Sequence, residues 1–138
     1  MRTLQNIAQD VADRCRTRFQ TVRLSSVQSS PQLLNELRAM NDSLLPAVVV
    51  IMDSGQLTEF CRRQEVKITL VLVDRFVAGS DERTLSGLTQ LQRLMDLFPA
   101  VATPMNNVQY CPASFYVATA DPKYICWAFE LQAIQPTD

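Results

Sequence analysis

Apolar positions recur along this chain with two different periods, and each change of period marks a new element. Leu4, Ile7, Ala8, Val11, Cys15 and Phe19 form one stripe of a helix, while Asp10, Arg14 and Arg18 fall four apart on another face. That second face reads as a solvated surface or as a contact for an acidic partner. Thr21 to Leu24 is a short extended piece. Ser30-Pro31 then offers an N-cap followed by proline at the first helical position. Leu33, Leu34, Leu37 and Met40 supply the apolar face of a second helix, which stops at Asn41-Asp42-Ser43.

The β-branched run from Pro46 to Met52 is too short for a helix and too apolar for an exposed strand, so it predicts a central strand. Asp53-Ser54-Gly55 predicts a turn after it, and a polar stretch through Arg62-Arg63-Gln64 leads into the longest strand, Glu65 to Val77. There Val66, Ile68 and Leu70 alternate with Lys67 and Thr69, whereas Val71, Leu72 and Val73 make both faces apolar. One end of this strand should be half exposed and its middle buried. Gly79-Ser80-Asp81-Glu82 opens a third helix with the stripe Leu85, Leu88, Leu91, Leu94, Met95 and Phe98, and Pro99 ends it. After a loop from Pro99 to Asn107, Val108 to Thr119 and Tyr124 to Ile134 predict a hairpin about Asp121-Pro122-Lys123. In its last strand Ile125, Trp127, Phe129 and Leu131 share one parity and are placed towards the core.

These elements predict a single α+β domain over residues 1–138, with a largely antiparallel mixed sheet of four or five strands packed with three helices. Without the first helix and the last strand the order is β-α-β-β-α-β, compatible with a split βαβ sheet.

Charge narrows the functional classes. With 13 basic and 14 acidic residues, no global field draws the chain to nucleic acid or to an anionic membrane. The longest wholly apolar run, Leu44 to Met52, contains Pro46 and falls far short of the roughly 20 residues of a membrane span. The N-terminus runs straight into the amphipathic pattern, without the apolar core of a signal peptide, so a start in the cytoplasm is expected. Cys15, Cys61, Cys111 and Cys126 are widely spaced and sit in or beside apolar stretches, which reads as free structural thiols. With no histidine in the chain, a zinc site has no support.

Candidate chemistry is correspondingly thin. The lack of histidine removes the commonest general base, and three glycines, Gly55, Gly79 and Gly87, make no phosphate-cradling loop; no catalytic residue, cofactor site or metal site is expected. Asp53 and Asp74 lie at ends of apolar strands, where acid/base carboxylates can sit, but such residues more often form turns or ion pairs. Arg62-Arg63, with Lys67 nearby, is the local basic pair, read as a solvated loop, an inter-subunit contact or a phosphate contact. Tyr110, Phe115, Tyr116, Tyr124, Trp127 and Phe129 could form a base-stacking platform, but their alternation in a hairpin fits core packing better.

A helix at the N-terminus, the Leu-Pro-Ala-Val-Val-Val strand at Leu45 to Val50, the Val-Lys-Ile-Thr-Leu-Val-Leu-Val strand at Val66 to Val73, a leucine-rich helix from Asp81 to Phe98 and a C-terminal aromatic hairpin follow one another. This order resembles the small tail proteins of Mu-like phages and prophages, which in turn are similar to the tail terminators of long-tailed phages. The resemblance covers nearly the whole chain and rests on element order, not on a motif. It implies a tail-terminator-like fold and a structural protein without enzymatic activity. Its subunits would form a hexameric ring that stops polymerisation of the tail tube protein and offers a docking face to a head-tail connector protein. The place of action would be the virion tail, assembled in the bacterial host cytoplasm. Another head-tail joining or injection-particle component, or a ligand-binding regulatory module with a split βαβ sheet, are the competing readings. For a ring contact the charged residues flanking the two central strands, Asp53, Arg62, Arg63 and Glu65, are the candidates.

Overall fold

A computed structural model describes residues 3–25, 45–60, 62–75, 81–99, 108–120 and 124–136. Helix α1 spans Leu4–Arg16. Thr3 caps it by accepting a hydrogen bond from the Asn6 amide on Oγ1 (3.1 Å), and Arg14 and Arg16 in its last turn complement the negative end of its dipole. Strands β1 (Thr21–Ser25), β2 (Ala47–Thr58) and β3 (Arg63–Arg75) follow, then helix α2 (Asp81–Met95) and strands β4 (Gln109–Ala120) and β5 (Tyr124–Pro136).

The strands form one sheet in the order β1-β2-β3-β5-β4. β1 runs parallel to β2, and the remaining pairs are antiparallel. Because β5 lies between β3 and β4, the path from β3 through α2 to β4 skips a strand: this half of the sheet is a split βαβ unit.

The two faces of the sheet are packed unequally. On one face Val48, Val50, Val66, Ile68, Leu70, Leu72, Phe129, Leu131 and Ala133 join Ile7, Val11 and Cys15 of α1 and Leu91 and Leu94 of α2 in the main core. Each of these large side chains contributes about 1.5–3 kcal/mol when fully withdrawn from water. Gly87 brings the backbone of α2 over Trp127, where an added Cβ would already lie 3.4 Å from the indole nitrogen. The opposite face has a second, smaller cluster, Ala47, Val49, Ile51, Val71, Val73, Tyr124 and Cys126, confined to one end of the strands. At that end both faces are buried; towards Thr58 and Arg63 burial fades.

A polar node ties α1 to the rest. The Tyr110 hydroxyl donates to Asp10 Oδ2 at 2.6 Å, and Arg14 Nε lies 3.2 Å from the same carboxylate. Arg14 Nη1 also donates to the Leu97 carbonyl (3.3 Å), with its guanidinium 4.7 Å above the Tyr110 ring. The face expected to be solvated is therefore partly a cross-link, because β4 and the end of α2 come to lie beside it. Cys15 in the core is fully buried, and that burial, opposed weakly by Arg16, pushes its thiol up to about 12, so it stays protonated at neutral pH. Cys15 and Cys111 are free thiols; Cys61 lies outside the described residues.

Several expectations are corrected. The described residues contain two helices, not three; the helix expected from Ser30 to Asn41 lies outside them, as do the turn at Asp121-Pro122-Lys123 and nearly all of the Pro99 to Asn107 loop. No turn forms at Asp53-Ser54-Gly55. The strand runs on to Thr58 through a bulge between Met52 and Ser54, and the reversal comes at Glu59 to Arg62, where the Arg62 amide donates to the Glu59 carbonyl at 3.2 Å. Gly55 serves close backbone approach: a Cβ there would meet the Glu65 carbonyl oxygen at 3.1 Å. In β5 the odd positions Phe129, Leu131 and Ala133 are buried as expected, but so are Tyr124, Cys126 and Ala128, while Ile125 and Trp127 are only half-buried. The second cluster on the far face accounts for this, since it withdraws the even positions at that end from water. Of the third predicted apolar stripe, Leu91, Leu94 and Phe98 are buried and Leu85 and Leu88 remain exposed.

Candidate functional site

The end of the sheet where burial fades carries most of the charged side chains of the central strands. Alternation along β3 sends Arg63, Glu65, Lys67 and Thr69 to the face opposite the helices, beyond the second cluster. Register then lines up residues of four strands across that face. Lys67 Nζ on β3 lies 3.4 Å from Asp53 Oδ2 on β2 and 3.4 Å from Glu130 Oε1 on β5. Glu130 accepts in turn from Ser114 Oγ (3.0 Å) and Tyr116 OH (3.3 Å) on β4, and Asp53 from Thr69 Oγ1 (3.4 Å). The hydrogen bond and charge of Glu130, then the charge of Asp53, hold the Lys67 ammonium above its ordinary range. The Tyr116 phenol is also raised, first by burial and then by Glu130. The strip is thus a cation between two carboxylates, fixed by hydroxyls, with every member partly open to water.

Glu65 accepts from Gln56 Nε2 (3.0 Å) and lies 3.4 Å from Arg63 Nε, an ion-pair distance without hydrogen-bond geometry. Arg63 Nη1 reaches Glu59 at 3.5 Å. Of the four candidate interface residues, Arg63 and Glu65 are therefore brought together, Asp53 joins the neighbouring strip through Lys67, and Arg62 stands apart in the hairpin turn, exposed and with no side-chain partner among the described residues. Lys67 was visible in the sequence as a charge near the arginine pair. Glu130 and Ser114 were not, and Tyr116 reads in the sequence only as one of the hairpin aromatics, because only strand register brings them to this strip.

Apolar groups stand exposed on the β2–β3 hairpin. Leu57 is 56% exposed and Phe60 100%. Glu59 and Phe60 both adopt left-handed backbone, with φ of 53° and 57°, a conformation that side chains with a Cβ resist. The hairpin and the start of α1 border a cavity of about 470 Å3, lined by Leu4, Met52, Gly55, Leu57 and Val66 together with Asp53 and Gln64. Among the described residues no cluster of metal-ligating side chains occurs, and no helix is long and apolar enough to cross a membrane.

No known family model matches the chain, and no characterised protein is significantly similar to it in sequence.

Proposed function

We propose that this chain is a structural subunit of a phage tail, a ring-forming tail terminator that ends polymerisation of the tail tube and offers a face to the head. It acts by surface complementarity, without catalysis, in the virion tail after assembly in the host cytoplasm; its partners are copies of itself, the tail tube protein and a head-tail connector protein. The observation that carries this reading is the β2–β3 hairpin: its strands are anchored at one end in a doubly buried sheet, and its turn at the other end presents a fully exposed phenylalanine and an exposed arginine. An exposed turn held by a continuous strand ladder suits register-specific contact between subunits, with charged pairs setting orientation more than affinity. A heterologous contact that closes on itself makes a ring.

Electron microscopy of particles made with Arg62→Glu/Arg63→Glu tests the reading. Tails of irregular length, or tails that fail to join heads, are the expected result. Uniform, head-joined tails from this variant would remove both arginines from the contact, and normal tails after deletion of the gene would end the terminator reading. The cavity favours a second reading, a ligand-binding regulatory module, since its volume lies in the range of small-molecule sites.

A further inference from the structure

Two buried side-chain polar atoms without a partner lie together, at the last pair of the β2–β3 ladder. Thr58 and Arg63 face each other there. Thr58 Oγ1 and Arg63 Nε are both buried and meet no hydrogen-bond partner among the described residues. The nearest carboxylates do not satisfy Arg63: Glu65 lies 3.4 Å from Nε without hydrogen-bond geometry, and Glu59 lies 3.5 Å from Nη1 with 65% of its side chain exposed. An ion pair that long and that open to water contributes little, so Glu59 is readily displaced. A desolvated guanidinium nitrogen without an acceptor is costly to the fold, and it points to an acceptor from outside the chain.

Beside this pair the turn end of the sheet holds a cavity of about 420 Å3, within the size range of small-molecule sites, lined by Glu59, Arg62, Arg63, Gln109, Ile134 and Pro136. Register explains this lining: β5 ends at Pro136 opposite Arg63, and Ile134 stands between Glu65 and Gln109. Gln135, which also borders the cavity, is buried and donates to Gln64 Oε1 at 2.7 Å, so that side is fixed. We propose that the cavity binds a small organic carboxylate: Arg63 and Arg62 take its oxygens, and Ile134 and Pro136 take its apolar body. The planar guanidinium matches a carboxylate through two parallel N–H···O bonds, and Arg62 is exposed with no side-chain partner among the described residues to compete for it. Local charge selects the class of anion. Glu59 and Glu65 balance Arg62 and Arg63, so no net field draws in a phosphate dianion, and hydrogen-bond geometry decides instead. The site goes beyond the contact role proposed for the arginine pair and does not rest on it.

NMR titration of the full chain at constant ionic strength, followed on the arginine side-chain N–H resonances, tests the site. Butanoate should shift the Arg63 Nε–H resonance saturably in the millimolar range and bind about tenfold more tightly than acetate, because two further methylenes leave water. Phosphate should bind more weakly than butanoate. Arg63→Lys keeps the charge and loses the planar fork, so it should weaken butanoate about tenfold or more, whereas attraction by charge alone would leave the affinity unchanged. Thr58→Val, which decides the matter should the lysine variant fail to fold, should melt no lower than wild type and bind butanoate about threefold more weakly. Glu59→Gln should tighten binding, since it removes the competing carboxylate. An Arg63 Nε–H resonance unmoved by butanoate, equal affinity in Arg63→Lys and wild type, or phosphate binding more tightly than butanoate would each overturn the site. N-acetyl-aspartate amide binding more tightly than butanoate would overturn the small-molecule assignment and give the arginines to an acidic residue of a partner chain. None of these results bears on the terminator reading, which the tails of the gene deletion decide separately.

Discussion

The two ends of the central sheet are made from the same three strands, yet they are built on different principles. At the end containing Ala47 to Ile51, Val71 to Val73 and Tyr124 to Ala128 the strands are buried on both faces, and register there brings apolar residues together. At the other end, from Met52 to Thr58 and from Arg63 to Thr69, the same ladder continues with a charged strip on one face and an open apolar cavity on the other. Hydrogen bonding along the ladder is common to both ends, so it does not explain the difference; side-chain burial does. The buried end can hold a unique fold, which leaves the turn end free to carry groups that would destabilise a core.

The largest test of this contrast compares Leu70 with Leu57. Leu70 is completely buried, so Leu70→Ala should cost about 2–5 kcal/mol in urea unfolding. Leu57→Ala at the turn end should change stability by no more than about 0.5 kcal/mol. Equal costs at the two sites would erase the distinction. A smaller effect is expected at the node between α1 and β4: Tyr110→Phe removes a 2.6 Å hydrogen bond to the Asp10 carboxylate and should cost about 1.5–3 kcal/mol by the same measurement. If its unfolding midpoint matched wild type, the node would be no more than a surface contact.

The smallest effect belongs to the charged strip and is best read by titration. NMR of the Lys67 side chain should give a pKa above the ordinary 10.5, and Glu130→Gln should bring it back towards that value, because Glu130 is the larger of the two causes. A folded-state pKa above the unfolded one means that the contribution to stability is complete below 10.5 and is lost as pH rises through the raised value. Around neutral pH this pair should therefore add no pH dependence. An unshifted Lys67 would mean that the strip does not hold together in water.

Much of the buried end was legible in the sequence. The β-branched runs at Ala47 to Ile51 and Val66 to Val73 and the stripe Ile7, Val11, Cys15 report burial through composition and period, which are local properties. The C-terminal hairpin was legible for the same reason. At the turn end Gly55 misleads, because a glycine that permits close approach across strands has the same local signature as one that permits a turn. Arg62, Arg63, Asp53 and Glu65 read in the sequence as charges flanking strands, but the grouping of Asp53 with Lys67, Glu130, Ser114 and Tyr116 depends on residues far apart in the chain.

The sequence by itself determined that this is an α+β chain with a β-rich core, near-neutral charge and no histidine chemistry, since these follow from composition and from periods within one element. Only the tertiary structure decided where the β2–β3 hairpin turns, which strands meet Lys67, and that Phe60 stands in water while Leu4 and Leu57 border a cavity. Those features arise from strand register and from the way the helices pack on the sheet. Both are set by contacts between distant segments, which no local pattern encodes.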